Sequence, residues 1–317
     1  MTDAEVVAKR LSWVSDALHA SAAIAAAKQV GLLAALQSGA VSVEKLASDC
    51  GTDVRNTGTL LDGLEAMGLV SVSDGTVRAE LPDLVTLGML ATSAGLLAEA
   101  VGTGRAPLEC DDRSGAEQVY PGTVSYLGAL FRNAASEVTE LLSPVERVLD
   151  VGAGAAPWSL AIAQHNPQCQ VTALDLDAVI PTTRQAVGAS GCSDRFTYLS
   201  GDIFEVALPE NAYDLVLLGN VCHLFDGPTN LRLLRRLRHA IRSGGRVAIV
   251  DAMVPSDEDA ARSVRLYAVG LLSRTSAGAV HSEDSYRDWL TTAGYQGVEV
   301  SQASQKPPVA VLAASAT

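Results

Sequence analysis

The chain has 317 residues, of which 48% are hydrophobic, 19% charged and only 4% aromatic, with a formal net charge of −13. That length and apolar share supply an aliphatic core for a doubly wound α/β domain plus a smaller helical one, and they rule out a disordered chain. Duplex nucleic acid is bound mainly by neutralising phosphates, which the acidic balance opposes.

The start, Met1–Trp13, lacks the basic residues and apolar core of a signal peptide. From Ala4 to about Leu36 the pattern is helical. Ala20–Ala35 is so rich in Ala and Leu that we expect burial on several sides, against a second copy of the chain in a homodimer. VSVEKLASDCG begins on Ser42 as an N-cap. DVRNTGTLLDGLEAMG places Leu60, Leu61, Leu64 and Met67 at helical spacing and stops at Gly68. LVSVSDGTVRAEL alternates around Asp74-Gly75, a hairpin signal. Three helices and a two-stranded wing predict a winged helix. Residues 82–143 read as mainly helical, interrupted by a charged loop at 102–115 that we take as a boundary zone. Apolar runs are broken by Gly, Ser and Lys before the ~20 residues a membrane span needs, so a soluble chain is expected.

After Pro144, short β-branched runs alternate with helical stretches such as Trp158–Gln164 and Leu231–Ile241. Strands are predicted at Arg147–Val151, Gln170–Asp175, Phe196–Leu199, Tyr213–Leu218 and Arg246–Asp251, an alternation that predicts a parallel sheet covered by helices. Gly297–Ser301 and Val309–Ala313 are joined by a connection too short for a crossover helix, so these last two strands should pair antiparallel. The expected domains are 1–100, helical and winged; 101–143, a helical linker and substrate-pocket region; and 144–317, the catalytic domain. Arg232, Arg235, Arg236, Arg238 and Arg242 fall within a helical stretch and read as a solvated face rather than a nucleic-acid site. Cys50, Cys110, Cys169, Cys192 and Cys222 form no C-x-x-C pair, and no His stands at ligand spacing. Neither a disulfide framework nor a metal site is expected, and a reducing cytoplasm fits.

The first of these strands ends in VLDVGAGAAPW, residues 148–158, with Asp150 on the strand. In open α/β sheets, ligands sit at the carboxyl ends of strands where strand order reverses. Gly152 and Gly154 permit a tight turn and close backbone approach. A dinucleotide fingerprint would need Gly or Ala where Pro157 stands. Proline suits a first helical position but removes a donor that a pyrophosphate would use, whereas S-adenosylmethionine has no phosphate. QVTALDLD ends in Asp175, followed by Leu176, and a carboxylate there is placed to accept ribose hydroxyls. Asp202 is placed to accept from an adenine amino group while Ile203 packs on the ring. Gly219 and Asn220 are placed to offer carbonyls to a methionine ammonium. Acceptor-rich strand ends beside a glycine turn without phosphate features point to an S-adenosylmethionine cofactor.

Residues 20–90 and 145–315 resemble the S-adenosylmethionine-dependent O-methyltransferases of secondary metabolism, on the motifs VLDVGAGAAPWSLA, ALDLD, SGDIF, NVCHLFD and SGGRVAIVD. The resemblance implies a winged-helix dimerisation domain and a Rossmann-like class I methyltransferase domain, with a mostly parallel seven-stranded sheet and an antiparallel C-terminal hairpin. Ala156 stands where the family usually has a third small residue, often Gly. The resemblance also makes His223 the general base toward an acceptor hydroxyl and Asp251 its acidic partner. An imidazole of ordinary pKa ~6.5 is largely neutral at pH 7 and able to take a phenolic proton. The family's second acidic residue falls near Val280 and is missing, with His281 next in sequence. That departure keeps open an alternative in which the bound cofactor serves cyclisation, elimination or decarboxylation. Tyr120, Tyr126, Phe131, Tyr267 and Arg274 are the expected substrate-pocket residues, with Arg265 a further polar side chain there.

Overall fold

The computed structural model describes residues 3–81, 83–253, 258–305 and 307–316. The chain divides into two compact units, Met1–Gly95 and Leu96–Thr317.

The first unit contains α1 (Asp3–Gln29), α2 (Leu32–Gln37), β1 (Val41–Ser42), α3 (Val43–Cys50), α4 (Val54–Ala66), β2 (Val70–Ser73), β3 (Thr76–Ala79) and α5 (Leu84–Ser93). The helix expected to run unbroken to about Leu36 stops before Gly31, whose φ of +80° lies in the left-handed region. The turn folds Leu32, Leu33 and Leu36 back onto Ala27, Leu61, Leu64, Val77 and Leu84. The Ala/Leu richness of 20–36 is therefore largely used inside the unit rather than left for a second copy. Apolar exposure lies earlier on α1, at Val7, Leu11, Val14 and Leu18. Ser42 caps α3 by accepting from Lys45 N at 3.2 Å, and Asp53 caps α4 by accepting from Asn56 N at 2.9 Å. Asp74 and Gly75 both take positive φ, as a two-residue hairpin turn requires, and pair β2 with β3. The two-residue β1 completes a sheet in the order β1-β3-β2; it is too short to show periodicity in the sequence.

The second unit contains α6 (Leu97–Thr103), α7 (Arg113–Val119), α8 (Val124–Leu142), β4 (Arg147–Val151), α9 (Pro157–His165), β5 (Gln170–Asp175), α10 (Ile180–Ala189) and β6 (Phe196–Ser200). It continues with β7 (Tyr213–Gly219), α11 (Gly227–Arg238), β8 (Ile241–Asp251), α12 (Glu258–Leu271), α13 (Glu283–Thr292), β9 (Tyr295–Gln305) and β10 (Pro308–Ala316). The seven strands lie in the order β6-β5-β4-β7-β8-β10-β9. β4 through β8 pair parallel, and β10 runs antiparallel to both β8 and β9. All seven residues of β7 are buried, because helices cover both faces of a central parallel strand. Chain order proceeds outward from β4 to β6, then returns to β7 on the other side. The strand-end crevice between β4 and β7 is therefore the place where a ligand can enter.

One stretch, Leu84–Thr103, is long and apolar enough to cross a membrane by length and composition, which corrects the expectation that no apolar run reaches that length. It is built of α5, a 3-10 turn at Ala94–Leu96, and α6. Of the five arginines read as a solvated face, Arg232 and Arg235 of α11 and Arg242 of β8 are exposed, and Arg236 and Arg238 are half-buried. Arg236 donates to the carbonyls of Ile203 and Val206, Arg238 donates to Gly294 O, and Arg242 pairs with Asp214.

Candidate active site

β4 ends in a turn that places Gly152 at φ +70° and donates Gly152 N and Ala153 N to Leu174 O, tying the loop to β5. Pro157 is the first residue of α9, where its missing N–H leaves nothing unsatisfied. Ala156 precedes it in left-handed backbone, φ +56°, a conformation that favours glycine. Gly219 closes β7 against the Trp158 ring; a Cβ there would lie 2.3 Å from Trp158 Cδ1.

These strand ends line an open cleft of about 990 Å³, its mouth included. Of the expected cofactor residues, Gly152, Gly154, Asp175, Leu176, Asp202, Ile203, Gly219 and Asn220 all form its wall. Asp150 does not. It is 1% exposed and turned toward α9, where Oδ2 accepts from Ser159 Oγ at 2.5 Å and Oδ1 has no partner among the described residues. Burial pushes its carboxyl up to about 7, against the Ser159 hydrogen bond and with the help of Asp175. Asp175 accepts from Gly154 N and Leu176 N, each at 2.7 Å, leaving lone pairs on both oxygens for ribose hydroxyls. Burial raises it to about 6, while those two backbone donors oppose the rise.

Asn220 supplies a test of fit for a cationic ligand that the strand-end reading did not include. It sits in the wall at φ +60°, and its buried Oδ1 has no donor among the described residues. A buried acceptor left unmet costs about 1–3 kcal/mol. An ammonium group at this strand end would satisfy it, and with the phosphate-poor turn the residues suit a methionyl nucleoside.

Of the expected substrate-pocket residues, Tyr120 and Phe131 line the cleft, whereas Tyr126, Tyr267 and Arg274 do not. Tyr126 is half-buried on α8, and Tyr267 and Arg274 are close enough to Tyr120 to act on it electrostatically. The loop at 102–115, read as a boundary zone within the expected substrate-pocket region 101–143, contributes Cys110, Asp111, Asp112 and Arg113 to the wall. Its charge gave no clue, because the wall is assembled by α7 and α8 folding over the strand ends.

His223 and Asp251 are brought together, 2% and 0% exposed. His223 Nδ1 lies 2.7 Å from Asp251 Oδ1, and His223 N donates to Oδ2 at 3.1 Å. Ala252 N and Tyr286 Oη complete the donors on that carboxylate, at 2.8 and 3.2 Å. Tyr286, which the sequence reading missed, thus supports Asp251 from α13. His281 does not compensate for the missing second acid: its Nε2 contacts Phe225 O at 2.8 Å, and Ser282 beside it caps α13.

A parallel sheet closed by an antiparallel C-terminal hairpin, with a glycine turn and acidic strand ends around one cleft, defines a methyltransferase-type fold. Residues 91–296 match the O-methyltransferase domain family. The 3-hydroxy-5-methyl-1-naphthoate 3-O-methyltransferase of Streptomyces sahachiroi is 28% identical over 308 residues, 90% of this chain and 88% of that one. The L-tyrosine C(3)-methyltransferase of Streptomyces lavendulae is 31% identical over 155 residues, 49% of this chain and 42% of that one. The fold also matches human N-acetylserotonin methyltransferase, solved in complex with S-adenosylmethionine. Its TM-score is 0.75 at 20% identity, covering 99% of this chain and 98% of that one. The chain belongs to the O-methyltransferase domain family and is an S-adenosylmethionine-dependent enzyme.

Proposed function

We propose that this enzyme methylates a hydroxyl on a small aromatic acceptor of secondary metabolism, with His223 as general base. The observation that carries the reading is the 2.7 Å contact of His223 Nδ1 with Asp251, which fixes the ring and leaves Nε2 as the proton acceptor. S-adenosylmethionine supplies an electrophilic methyl group on a sulfonium; Asp175, Asp202, Ile203, Gly219 and Asn220 hold it. Val124, Leu127, Phe131, Trp158, Leu224 and Phe225 make the rest of the cleft apolar, which suits a flat ring. The relatives are named for methyl transfer, among them enzymes acting on a hydroxynaphthoate and on 3-amino-4-hydroxybenzoate, so cyclisation or elimination is not favoured.

The test incubates the protein with methyl-labelled cofactor and those two phenols, alongside a panel of simpler hydroxyarenes. Label on a phenolic oxygen is expected. A tightly held, unconsumed cofactor with no labelled product across the panel would overturn the acceptor class. His223→Ala should abolish turnover while calorimetry with S-adenosylhomocysteine stays near wild type; collapse of cofactor binding would mark the residue as structural.

The helices and small sheet of the first unit support a winged-helix reading, and the apolar stripe on α1 supports a homodimer. Five unpaired thiols support a cytoplasmic setting.

A further inference from the structure

Two arginines of α11 reach the segment that carries Asp202, Ile203 and Phe204 into the cleft wall. β6 is an edge strand of the sheet, and residues 201–212, which link it to β7, form neither helix nor strand. No crossover helix therefore fixes this strand end. The segment closes locally instead. Asp202 Oδ1 accepts from Phe204 N at 2.7 Å, and Asp202 O accepts from Glu205 N and Val206 N at 3.0 and 2.9 Å. Such a turn sets its own shape but not its place against the sheet.

Arg236 supplies the place. Its guanidinium donates from Nε to Ile203 O at 3.1 Å and from Nη2 to Val206 O, so one planar fork holds two carbonyls of the turn. Among the described residues no carboxylate pairs with Arg236, which leaves the cation committed to these carbonyls. Arg232, one helical turn earlier, lies over the Phe204 ring, 4.8 Å from the centroid. Phe204 in turn meets Phe225 edge to face, with centroids 5.3 Å apart, and both rings line the cleft. Helix α11 thus grips the turn by its carbonyls while Asp202, Ile203 and Phe204 face the ligand.

We propose that Arg236 is a positioning residue for the cofactor, holding Asp202 and Ile203 where they select adenine over other bases, with Arg232 steadying the Phe204 ring. This rests on the reading of Asp202 as acceptor of the adenine amino group and of Ile203 as the surface against the ring. A carboxylate opposite an amino group gains a charge-assisted hydrogen bond. Opposite the oxo group of hypoxanthine it meets a second acceptor, and both are left unpaired. The selection depends on where the carboxylate stands. A turn released from α11 loses it, while Asp175, Gly219 and Asn220, on other strand ends, keep their hold on the ribose and methionyl parts.

The test is calorimetry of wild type, Arg236→Met, Arg236→Lys and Asp202→Asn with two ligands. One is S-adenosylhomocysteine; the other is S-inosylhomocysteine, which carries an oxo group in place of the adenine amino group. Wild type should prefer the adenine ligand about tenfold or more. Arg236→Met, which keeps the apolar stem, should weaken S-adenosylhomocysteine about 10–100-fold, the usual effect of losing hydrogen bonds to a charged group. It should weaken the inosine ligand less, so that the preference narrows to within about threefold. Arg236→Lys should be intermediate, since an ammonium cannot fork to both carbonyls, and it decides the question where the methionine variant does not fold. Unchanged affinity overturns the positioning role. So does an equal loss for both ligands with the preference intact, which is what a merely structural residue would give. Asp202→Asn tests the underlying reading: the amide keeps an oxygen for Phe204 N and turns a donor toward the base, so the preference should narrow or reverse. A wild type without preference, or a preference intact in Asp202→Asn, overturns the adenine reading itself. A preference lost in Asp202→Asn but intact in Arg236→Met overturns the positioning role alone.

Discussion

Two carboxylates one strand apart illustrate how burial sets chemistry at the level of a residue. Asp150 is enclosed beneath α9 with one oxygen unpartnered, and its carboxyl stands at about 7; Asp175, at the cleft wall with two backbone donors, stands at about 6. Both lie above the ordinary carboxylate value near 4. Between roughly pH 4 and 7 the folded state therefore holds more protons than the unfolded chain, so stability falls as pH rises through that window and levels off above it. Asp150→Asn removes one of these groups. The drop in melting temperature from pH 5 to pH 8 should be smaller than in wild type, and equal drops would mean that Asp150 titrates normally.

The strand–turn–helix unit of β4 and α9 works because small residues let neighbours crowd it. Gly219 at the end of β7 touches Trp158 of α9, which is 3% exposed. Gly219→Ala should cost about 1–3 kcal/mol, the usual range for overpacking a filled site. It should also weaken cofactor binding, since both residues line the cleft. Melting curves and calorimetry check this; an unchanged melting point and affinity would show that the ring can shift. Helix α13 illustrates the opposite arrangement, in which a long side chain reaches inward: Tyr286 crosses to Asp251 from a helix whose sequence advertises only an N-cap and an amphipathic face.

For the whole molecule, the exposed apolar face of α1 is the feature that bears on assembly. Val7, Leu11, Val14 and Leu18 repeat at spacings of four, three and four, and Leu11 and Leu18 are 65% and 66% exposed. That is the seam of a helix made to pack against another helix. Replacing both Leu11 and Leu18 by Glu should convert a dimer into a monomer, read as a halving of mass by light scattering. A wild-type protein already monomeric would refute the assembly.

Much of the catalytic unit was legible because its determinants are local. Alternating β and α patterns placed all seven strands, and β4 and β5 appear at the predicted limits, since buried central strands are bounded by turn residues on both sides. The glycine turn, Pro157, and the acidic residues at strand ends follow from backbone requirements written in neighbouring residues. The break at Gly31 was less visible, because an Ala/Leu run reads as helix until packing turns it. What the tertiary structure alone decided is what meets across the chain: Tyr267 at His223, Tyr286 at Asp251, and Asp150 turned away from the cleft. These depend on which element covers which strand end, and contacts between residues tens of positions apart leave no periodicity in the sequence.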